Sequence, residues 1–246
     1  MLILLPPSET KRDGGPDGSK LDLSELSFPS LTAPRRAALA SLRAISKSVA
    51  ASTAALGLGP TQRFEIDRNR AIRTSGVVPA IERYTGVLYD AIDIADLDSG
   101  ARRFLGERAV IHSALFGLIG ADDRVPAYRF SHGTRLPGTS VTKLWRDANA
   151  AVLADRDELV LDLRSESYVH LGPAGAGAHF LRVVSMGANG ETRALNHFNK
   201  HGKGELVRAL ALAGENFATL DDLLDWARGA GIDLSLNSSG ELQLVV

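Results

Sequence analysis

The sequence contains no cysteine, and this absence excludes several kinds of chemistry. Disulfide bonds, thiolate metal sites and a cysteine nucleophile all require a thiol. Small secreted proteins usually carry disulfides, so the lack of disulfides in this chain favours a reducing cytosol. We therefore predict a soluble, cytoplasmic protein, and no motif indicates a bound metal or cofactor.

Long apolar runs and a strong net charge are also missing. The 246 residues carry a formal net charge of -1, so no global field attracts a polyanion. No stretch approaches the ~18 apolar residues of a membrane-spanning helix, and we predict no membrane association. The apolar run from Met1 to Leu5 stops at two prolines, and we interpret it as the first strand of a buried sheet.

The charges that are present lie unevenly along the chain. Between Arg35 and Arg73 there are eight Lys and Arg residues and two acids, whereas residues 215–246 hold six acids and one arginine. Two interpretations stay open. In the first, the two segments contact each other or are ordinary solvated faces. In the second, the segment from Arg35 to Arg73 forms a local basic patch for a polyanion.

The hydrophobic pattern predicts helices and strands in one mixed α/β domain. Buried strands are indicated at 1–5, 108–113, 159–163 and 180–186, and helices at 34–46, 49–55, 81–91, 144–154, 195–213 and 220–229. Residues 237–240 separate two short apolar runs and are typical of a hairpin turn. No linker or repeat divides the chain, so we predict a single compact domain over 1–246, with a mixed sheet flanked by helices.

Two closely spaced glycines lie between predicted helices of the basic segment, in Leu56-Gly57-Leu58-Gly59-Pro60-Thr61. The pattern resembles the hairpin of a helix-hairpin-helix element, which we place at about 34–73. Such a turn leaves backbone N–H groups free at a helix N-terminus, where phosphate binds without regard to base sequence. The predicted phosphate-binding residues are Gly57, Gly59, Thr61, Arg63, Arg68, Arg70 and Arg73. The alternative is an ordinary helix–helix connection with a glycine C-cap.

Polar clusters elsewhere indicate a small-molecule site. Ser165 and Tyr168 follow a predicted strand, where α/β proteins often bind ligands, although the same residues can cap a turn. Lys200 and Lys203 precede an apolar helical pattern and suit an anion. The candidate catalytic residues, none with an assigned role, are Lys11, Tyr84, Ser165, Tyr168, Lys200 and Lys203.

Several known signatures are missing from the sequence. It contains no G-x-S-x-G elbow, no H-E-x-x-H and no G-x-G-x-x-G dinucleotide fingerprint. His197 and His201 are four residues apart, but no carboxylate with the required spacing follows, so we predict no metal site. His112 lies in an apolar run and is interpreted as a core histidine.

Seven short segments follow one another in a recognisable order: Met1–Lys11, Tyr84–Gly86, Ala114–Ile119, Pro126–Phe130, Leu144–Asp147, Leu163–Tyr168 and Lys200–Gly204. Their ordered combination resembles the bacterial peroxide-stress protein YaaA family. The resemblance implies a compact mixed α/β fold, a role in limiting peroxide damage, and DNA binding through a helix-hairpin-helix element. Two departures stand out: the family's loop lysine is displaced to Lys11, and Lys203 replaces an arginine.

These observations lead to two hypotheses of different classes. The leading one is a peroxide-stress-response protein that binds DNA, largely without sequence specificity, through the local basic patch. The alternative is an enzyme or binding protein that acts on a nucleotide, nucleoside or similar anionic small molecule in a cleft lined by lysine, tyrosine and serine. Convergence of the candidate side chains favours the alternative, and contact between the basic and acidic segments favours a pure interaction protein.

Overall fold

One mixed β-sheet forms the centre of the computed structural model, which describes residues 1–186, 192–194, 198–238 and 240–246. The strands are β1 (Leu2–Leu5), β2 (Val78–Pro79), β3 (Ala109–Ser113), β4 (Gly117–Gly120), β5 (Arg124–Val125), β6 (Arg135–Leu136), β7 (Thr139–Ser140), β8 (Val160–Asp162), β9 (Ala178–Met186), β10 (Thr192–Ala194), β11 (Leu234–Leu236) and β12 (Leu242–Val245). The α-helices are α1 (Thr32–Ser46), α2 (Val49–Leu56), α3 (Phe64–Arg70), α4 (Ala80–Arg83), α5 (Val87–Ile92), α6 (Ser99–Arg108), α7 (Val141–Ala154), α8 (Glu166–Val169), α9 (Phe198–Ala213) and α10 (Leu220–Gly229).

The main sheet has the strand order β11–β12–β9–β8–β1–β3–β4, and β10 pairs with β9 outside this path. The pairs β12–β9, β9–β8, β8–β1 and β1–β3 are parallel. β4, β10 and β11 each pair with their neighbour in the antiparallel direction. The predicted mixed sheet flanked by helices in a single domain is therefore confirmed.

β1 lies inside the sheet between strands that come from different parts of the chain. Ile3 pairs with Ala109 of β3 on one side and with Leu161 of β8 on the other. After β1 the chain first builds β3 and returns to the opposite edge of β1 only with β8. Such a reversal leaves a crevice at the carboxyl ends of two parallel strands, where α/β proteins bind ligands. The topology therefore predicts a crevice at the carboxyl ends of β1 and β8.

A single hydrophobic cluster runs through the described residues. All of Leu2–Leu5 is buried, as expected for a parallel strand covered on both faces. α9 packs against α5, α6 and β9, while α1 packs against α2, α3 and α7. Leu42 of α1 and Leu244 of β12 belong to the same cluster. No helix in the described ranges is long and apolar enough to cross a membrane.

The predicted helix over 81–91 is wrong, because it is interrupted after Arg83. Tyr84 has an extended backbone, with φ -75° and ψ 144°, and forms a β-bridge with Lys11. The interruption changes where the tyrosine rings lie. A continuous helix would separate Tyr84 from Tyr89, whereas here their rings stack with centroids 5.4 Å apart.

The basic segment is not uniformly exposed. Arg35 is completely buried and donates hydrogen bonds to the carbonyl oxygens of Phe116, Leu118 and Ser27, at 2.9, 2.8 and 2.7 Å. Its guanidinium therefore joins α1 to β4 and is closed to phosphate. Among the described residues, no ion pair joins the basic segment to the acidic C-terminal one, so the interaction-protein hypothesis gains no support.

Gly117 begins β4 at a point where the backbone closely approaches Trp145. Its φ is +69°, and a Cβ placed there would lie 2.5 Å from Trp145 Cζ3. Trp145 is fully buried, and its Nε1 donates to the carbonyl oxygen of Ala114 at 2.7 Å. The indole therefore cannot move aside without losing this bond.

We expect Gly117→Ala to lower the free energy of unfolding by about 3–5 kcal/mol, because it combines a left-handed backbone with overpacking of a buried ring. Urea unfolding followed by tryptophan fluorescence measures the change. Gly133→Ala is the matched control, since an added Cβ there meets nothing within 4 Å. The control should shift stability by less than about 1 kcal/mol. Equal stability of the two variants would contradict the prediction.

Candidate functional site

A cavity of about 550 Å³ opens at the carboxyl ends of β1 and β8. Small-molecule sites usually have volumes of roughly 300–1,000 Å³. The wall is formed by the loop after β1 (Pro6–Glu9), the segment after β8 (Leu163–Tyr168), two residues of β9 (Phe180 and Arg182), the start of α9 (Asn199, Lys200 and Lys203), and Leu88, Phe130 and His132. The cavity, named here the first chamber, occupies the crevice that the strand order indicates.

Four of the six candidate catalytic residues line the first chamber: Ser165, Tyr168, Lys200 and Lys203. The other two, Lys11 and Tyr84, lie outside its lining. They are both buried, at 7% and 2% exposed. Lys11 nevertheless contacts the chamber's wall, because its ammonium bonds to the loop after β1. The structure thus brings four candidates to one surface and places two behind it.

Lys203 fixes the segment that follows β8. Its Nζ donates to the carbonyl oxygens of Leu163 and Arg164, at 3.0 and 3.4 Å, and lies 5.2 Å from the centroid of the Phe180 ring. An ammonium has three N–H groups, so one remains beyond these two carbonyl bonds. Burial lowers the pKa of Lys203 to about 8.

Lys11 fixes the loop after β1 in the same way. Its Nζ donates to the carbonyl oxygens of Ser8 and Glu9, at 2.9 and 3.3 Å. It also lies 4.2 Å from the centroid of the Tyr128 ring and 5.2 Å from that of Tyr84. Burial, more than any nearby charge, lowers the pKa of Lys11 to about 7.

Three buried hydroxyls form a chain beside Lys11. Ser113 Oγ accepts the N–H groups of Leu115 and Phe116, at 3.1 and 3.0 Å, so its own hydrogen points to Tyr128 Oη at 2.6 Å. Tyr128 Oη and Tyr84 Oη share a further hydrogen bond of 2.6 Å, which either hydroxyl can donate. Burial raises the pKa of Tyr84 to about 12.

A buried ion pair supports the segment after β8 from below. Arg164 is completely buried and donates to Asp162 at 2.8 and 2.6 Å, to His112 Nδ1 at 2.8 Å and to the carbonyl oxygen of Gly172 at 2.8 Å. Burial, followed by the neighbouring Arg164 charge, lowers the pKa of His112 well below its usual value. His112 is thus a neutral core histidine, as its apolar context indicated.

Sequence reasoning missed several residues of the site. Phe180 and Arg182 alternate on β9 and reach the first chamber together, and the period of two along a strand is the signal that places them on one face. His132 comes from an irregular segment and had no such signal. Tyr128 and Ser113 join the cluster around Lys11 through tertiary contacts alone.

The helix-hairpin-helix element is not confirmed, because the amides of the loop are already used. Gly57 is the left-handed C-cap of α2, with φ +64°, and its N–H donates to the carbonyl oxygen of Thr53. The Leu58 N–H donates to the same oxygen at 3.1 Å, and the Gly59 N–H donates to Gln62 Oε1 at 2.9 Å. This is the ordinary helix–helix connection with a glycine C-cap.

The other predicted phosphate-binding residues differ in exposure and pairing. Arg68 bonds to Asp13 at 2.6 Å and to Glu65 at 2.9 Å, and Arg70 bonds to Asp67 at 2.9 Å. Thr61, Arg63 and Arg73 are exposed. DNA binding therefore remains a prediction, and no helix-hairpin-helix element supports it.

The histidine pair considered for metal binding is only partly described. His197 lies outside the described residues. His201 is on the first turns of α9, where its Nδ1 is 3.0 Å from Glu205 Oε2. Within the described ranges, no three His, Cys, Asp or Glu side chains are arranged to hold a metal ion.

The buried Lys11 should make stability depend on pH. Its folded-state pKa of about 7 lies below the unfolded value, so the unfolded chain binds more protons between about pH 7 and pH 10. The free energy of unfolding should therefore rise with pH across this window, and Lys11→Met should lose that contribution. Urea unfolding at about pH 6, 8 and 9.5 measures the slopes. Lys143→Met, at an exposed position, should keep the wild-type slope; identical slopes for Lys11→Met and wild type would refute the burial effect.

Comparison with known proteins identifies the family. The family model described as "Peroxide stress protein YaaA" matches residues 1–231. A UPF0246 protein of Corynebacterium glutamicum is 44% identical over 253 residues, which is 100% of each chain. A UPF0246 protein of Streptomyces coelicolor is 38% identical over 239 residues, covering 95% of this chain and 92% of that protein. The resemblance drawn from the ordered motifs is confirmed, and the chain belongs to the peroxide stress protein YaaA family.

Proposed function

We propose that this member of the peroxide stress family binds a phosphate ester of the nucleotide type in the first chamber. The observation that carries the proposal is the convergence of Ser165, Tyr168, Lys200 and Lys203 on one crevice of the sheet. These residues come from two separate segments, and they meet where the strand order reverses. Ligand sites of α/β proteins usually have this arrangement.

Cations and hydroxyls supply the phosphate-binding part of the site. Lys203 has one N–H left beyond its two carbonyl bonds, and Lys200 is exposed at the rim of the same chamber. The hydroxyl oxygens of Ser165 and Ser167 are 3.0 Å apart on the exposed side. Ammonium and hydroxyl groups both donate hydrogen bonds to phosphate oxygens, and the bonds from a charged ammonium are the stronger ones.

Aromatic rings supply a surface for a flat group. Tyr168, His132, Phe130 and Phe180 all line the first chamber. The rings of His132 and Tyr168 meet edge to face, with centroids 5.5 Å apart and an interplanar angle of 70°. Stacking on such rings tolerates any base, because every base has a π-face. A nucleotide combines the two properties that the walls provide.

Lys203 is the residue best placed for proton transfer to a bound ligand. Its pKa of about 8 lies near physiological pH, and a group of that kind both holds and releases a proton readily. Anion binding is its primary role in the proposal, and acid–base chemistry on the ligand is a second use of the same amine.

Calorimetric titration with the four nucleoside monophosphates and diphosphates tests the proposal. We expect at least one to bind, and Lys203→Gln and Lys200→Gln each to weaken it about tenfold, because each variant removes a cation facing the phosphate. Lys143→Gln, on the exposed surface of α7, should bind like the wild type. If the buried Lys203 variant folds poorly, the Lys200 variant still tests whether a lysine of the first chamber contributes to binding. No binding by any of these nucleotides, or equal binding by all variants, would sink the proposal.

DNA binding is a second candidate because of one further observation. A shallow groove between α1 and α3 is lined by the cations Arg43, Lys47 and Arg70. Arg43 and Lys47 are exposed. A phosphate backbone could lie along such a groove without base contacts.

Fluorescence anisotropy with duplex DNA at several salt concentrations tests this second candidate. The double variant Arg43→Glu with Lys47→Glu should abolish binding at low salt, since it reverses two of the three exposed cations of the groove, and the third, Arg70, is paired with Asp67. Arg103→Glu, at an exposed position on α6, is the control and should bind like the wild type. Absence of binding by the wild type at low salt excludes DNA as a partner, and an unaffected double variant excludes this groove.

A further inference from the structure

A second cavity of about 340 Å³ adjoins the first chamber and is named here the second chamber. Glu166, Phe180 and Arg182 line both. The remaining walls of the second chamber come from the end of α8, the glycine-rich segment 173–178 and Glu241. The two chambers are therefore neighbours separated by a wall of three side chains.

The wall between the chambers is held firmly on one side and loosely on the other. Arg182 bonds to both carboxylate oxygens of Glu241, at 3.0 and 3.1 Å. Its contacts to Glu166 are long, at 3.4 Å, and exposed. The guanidinium carbon also lies 5.5 Å from the centroid of the Phe180 ring. Arg182 can therefore release Glu166 for another anion while Glu241 keeps it in place.

The two chambers differ in the charge of their walls. Lys200 and Lys203 line only the first chamber and Glu241 lines only the second, while Glu166 and Arg182 line both. The other carboxylate of the first chamber, Glu9, is paired with Arg129. The Asp162 carboxylate also reaches the second chamber, but it is committed to Arg164. The Glu166 and Glu241 carboxylates bond to Arg182 but keep further acceptor sites. Carboxylates repel phosphate and accept hydrogen bonds from hydroxyl groups, as they do with the ribose of dinucleotides.

The second chamber also has an apolar side. Pro173, Ala174 and Ala178 line it together with the half-buried ring of Phe180. A sugar or nucleoside ring has one apolar face and several hydroxyls, so this combination of apolar surface and carboxylates suits it. Phosphate, by contrast, is better placed on the lysine side or at Arg182.

We infer that the natural ligand has two sugar rings joined by a phosphate linkage, with a nucleotide in the first chamber, a second sugar or nucleoside in the second, and the linkage over Arg182; two-ring below refers to these two sugar rings. This inference rests on the proposed nucleotide site and names the substrate class more narrowly. The shared wall, the lysines found only in the first chamber, the Glu241 carboxylate found only in the second, and the long contact between Arg182 and Glu166 carry it together.

Paired probes test the inference: ADP against ADP-ribose, UDP against UDP-glucose, GDP against GDP-mannose and CDP against CDP-glucose. We expect at least one two-ring ligand to bind about tenfold more tightly than its parent nucleotide, because only the two-ring ligand contacts the second chamber. Calorimetric titration gives both constants under the same conditions.

Two neighbouring glycines provide a matched pair of variants. Gly175 lines the second chamber and Gly177 does not, while a Cβ at either position meets nothing within 4 Å. Gly175→Trp should remove the tenfold advantage of the two-ring ligand and leave binding of the parent nucleotide unchanged. Gly177→Trp should change neither.

The outcomes separate the two proposals. If parent nucleotides bind but the two-ring ligands show no advantage, or if Gly175→Trp leaves that advantage intact, the second chamber is not a subsite and the nucleotide site stands. If neither kind of probe binds, both proposals fail. A loss of parent-nucleotide binding in Gly175→Trp overturns the division of the ligand between the two chambers.

Discussion

The parallel pairing of β1 with both β3 and β8 is the constraint on which the rest of the structure depends. It places the loop after β1 beside the segment after β8, and the first chamber lies between them. The same device then fixes each loop. Lys11 bonds to two carbonyl oxygens of one, and Lys203 bonds to two carbonyl oxygens of the other. Two buried ammonium groups thus hold the walls that the sheet brings together.

Buried cations also explain why charge counting along the sequence says little about DNA. Arg35 and Arg83 lie in the interior and donate to backbone carbonyl oxygens. Such arginines satisfy the ends of strands and loops, as a carbonyl needs a donor wherever water is excluded.

The family model describes a peroxide stress protein. This chain contains no cysteine, so it has no thiol with which to reduce peroxide.

The sequence predicts those parts of the fold and site whose signals are local. The apolar strand Leu2–Leu5 and the polar residues after β8 follow from hydrophobic pattern and position. The break at Tyr84 does not, because it depends on a backbone bridge to Lys11, far away in the chain. The loop amides at Gly57 and Gly59 show the same limit. Their spacing suits a phosphate, but whether the amides are free depends on Gln62 and Thr53.

The central position of β1 has a consequence for the order of folding. Leu4 pairs with Val110 and with Asp162, so both partners are synthesised long after β1 itself. Until then an apolar strand with two open edges has no native partner, and such segments are prone to aggregate or to bind chaperones. Contacts this distant in sequence also slow folding, since loops must close before any pairing stabilises them. The strand that borders the first chamber is therefore made long before either of the strands that pair with it.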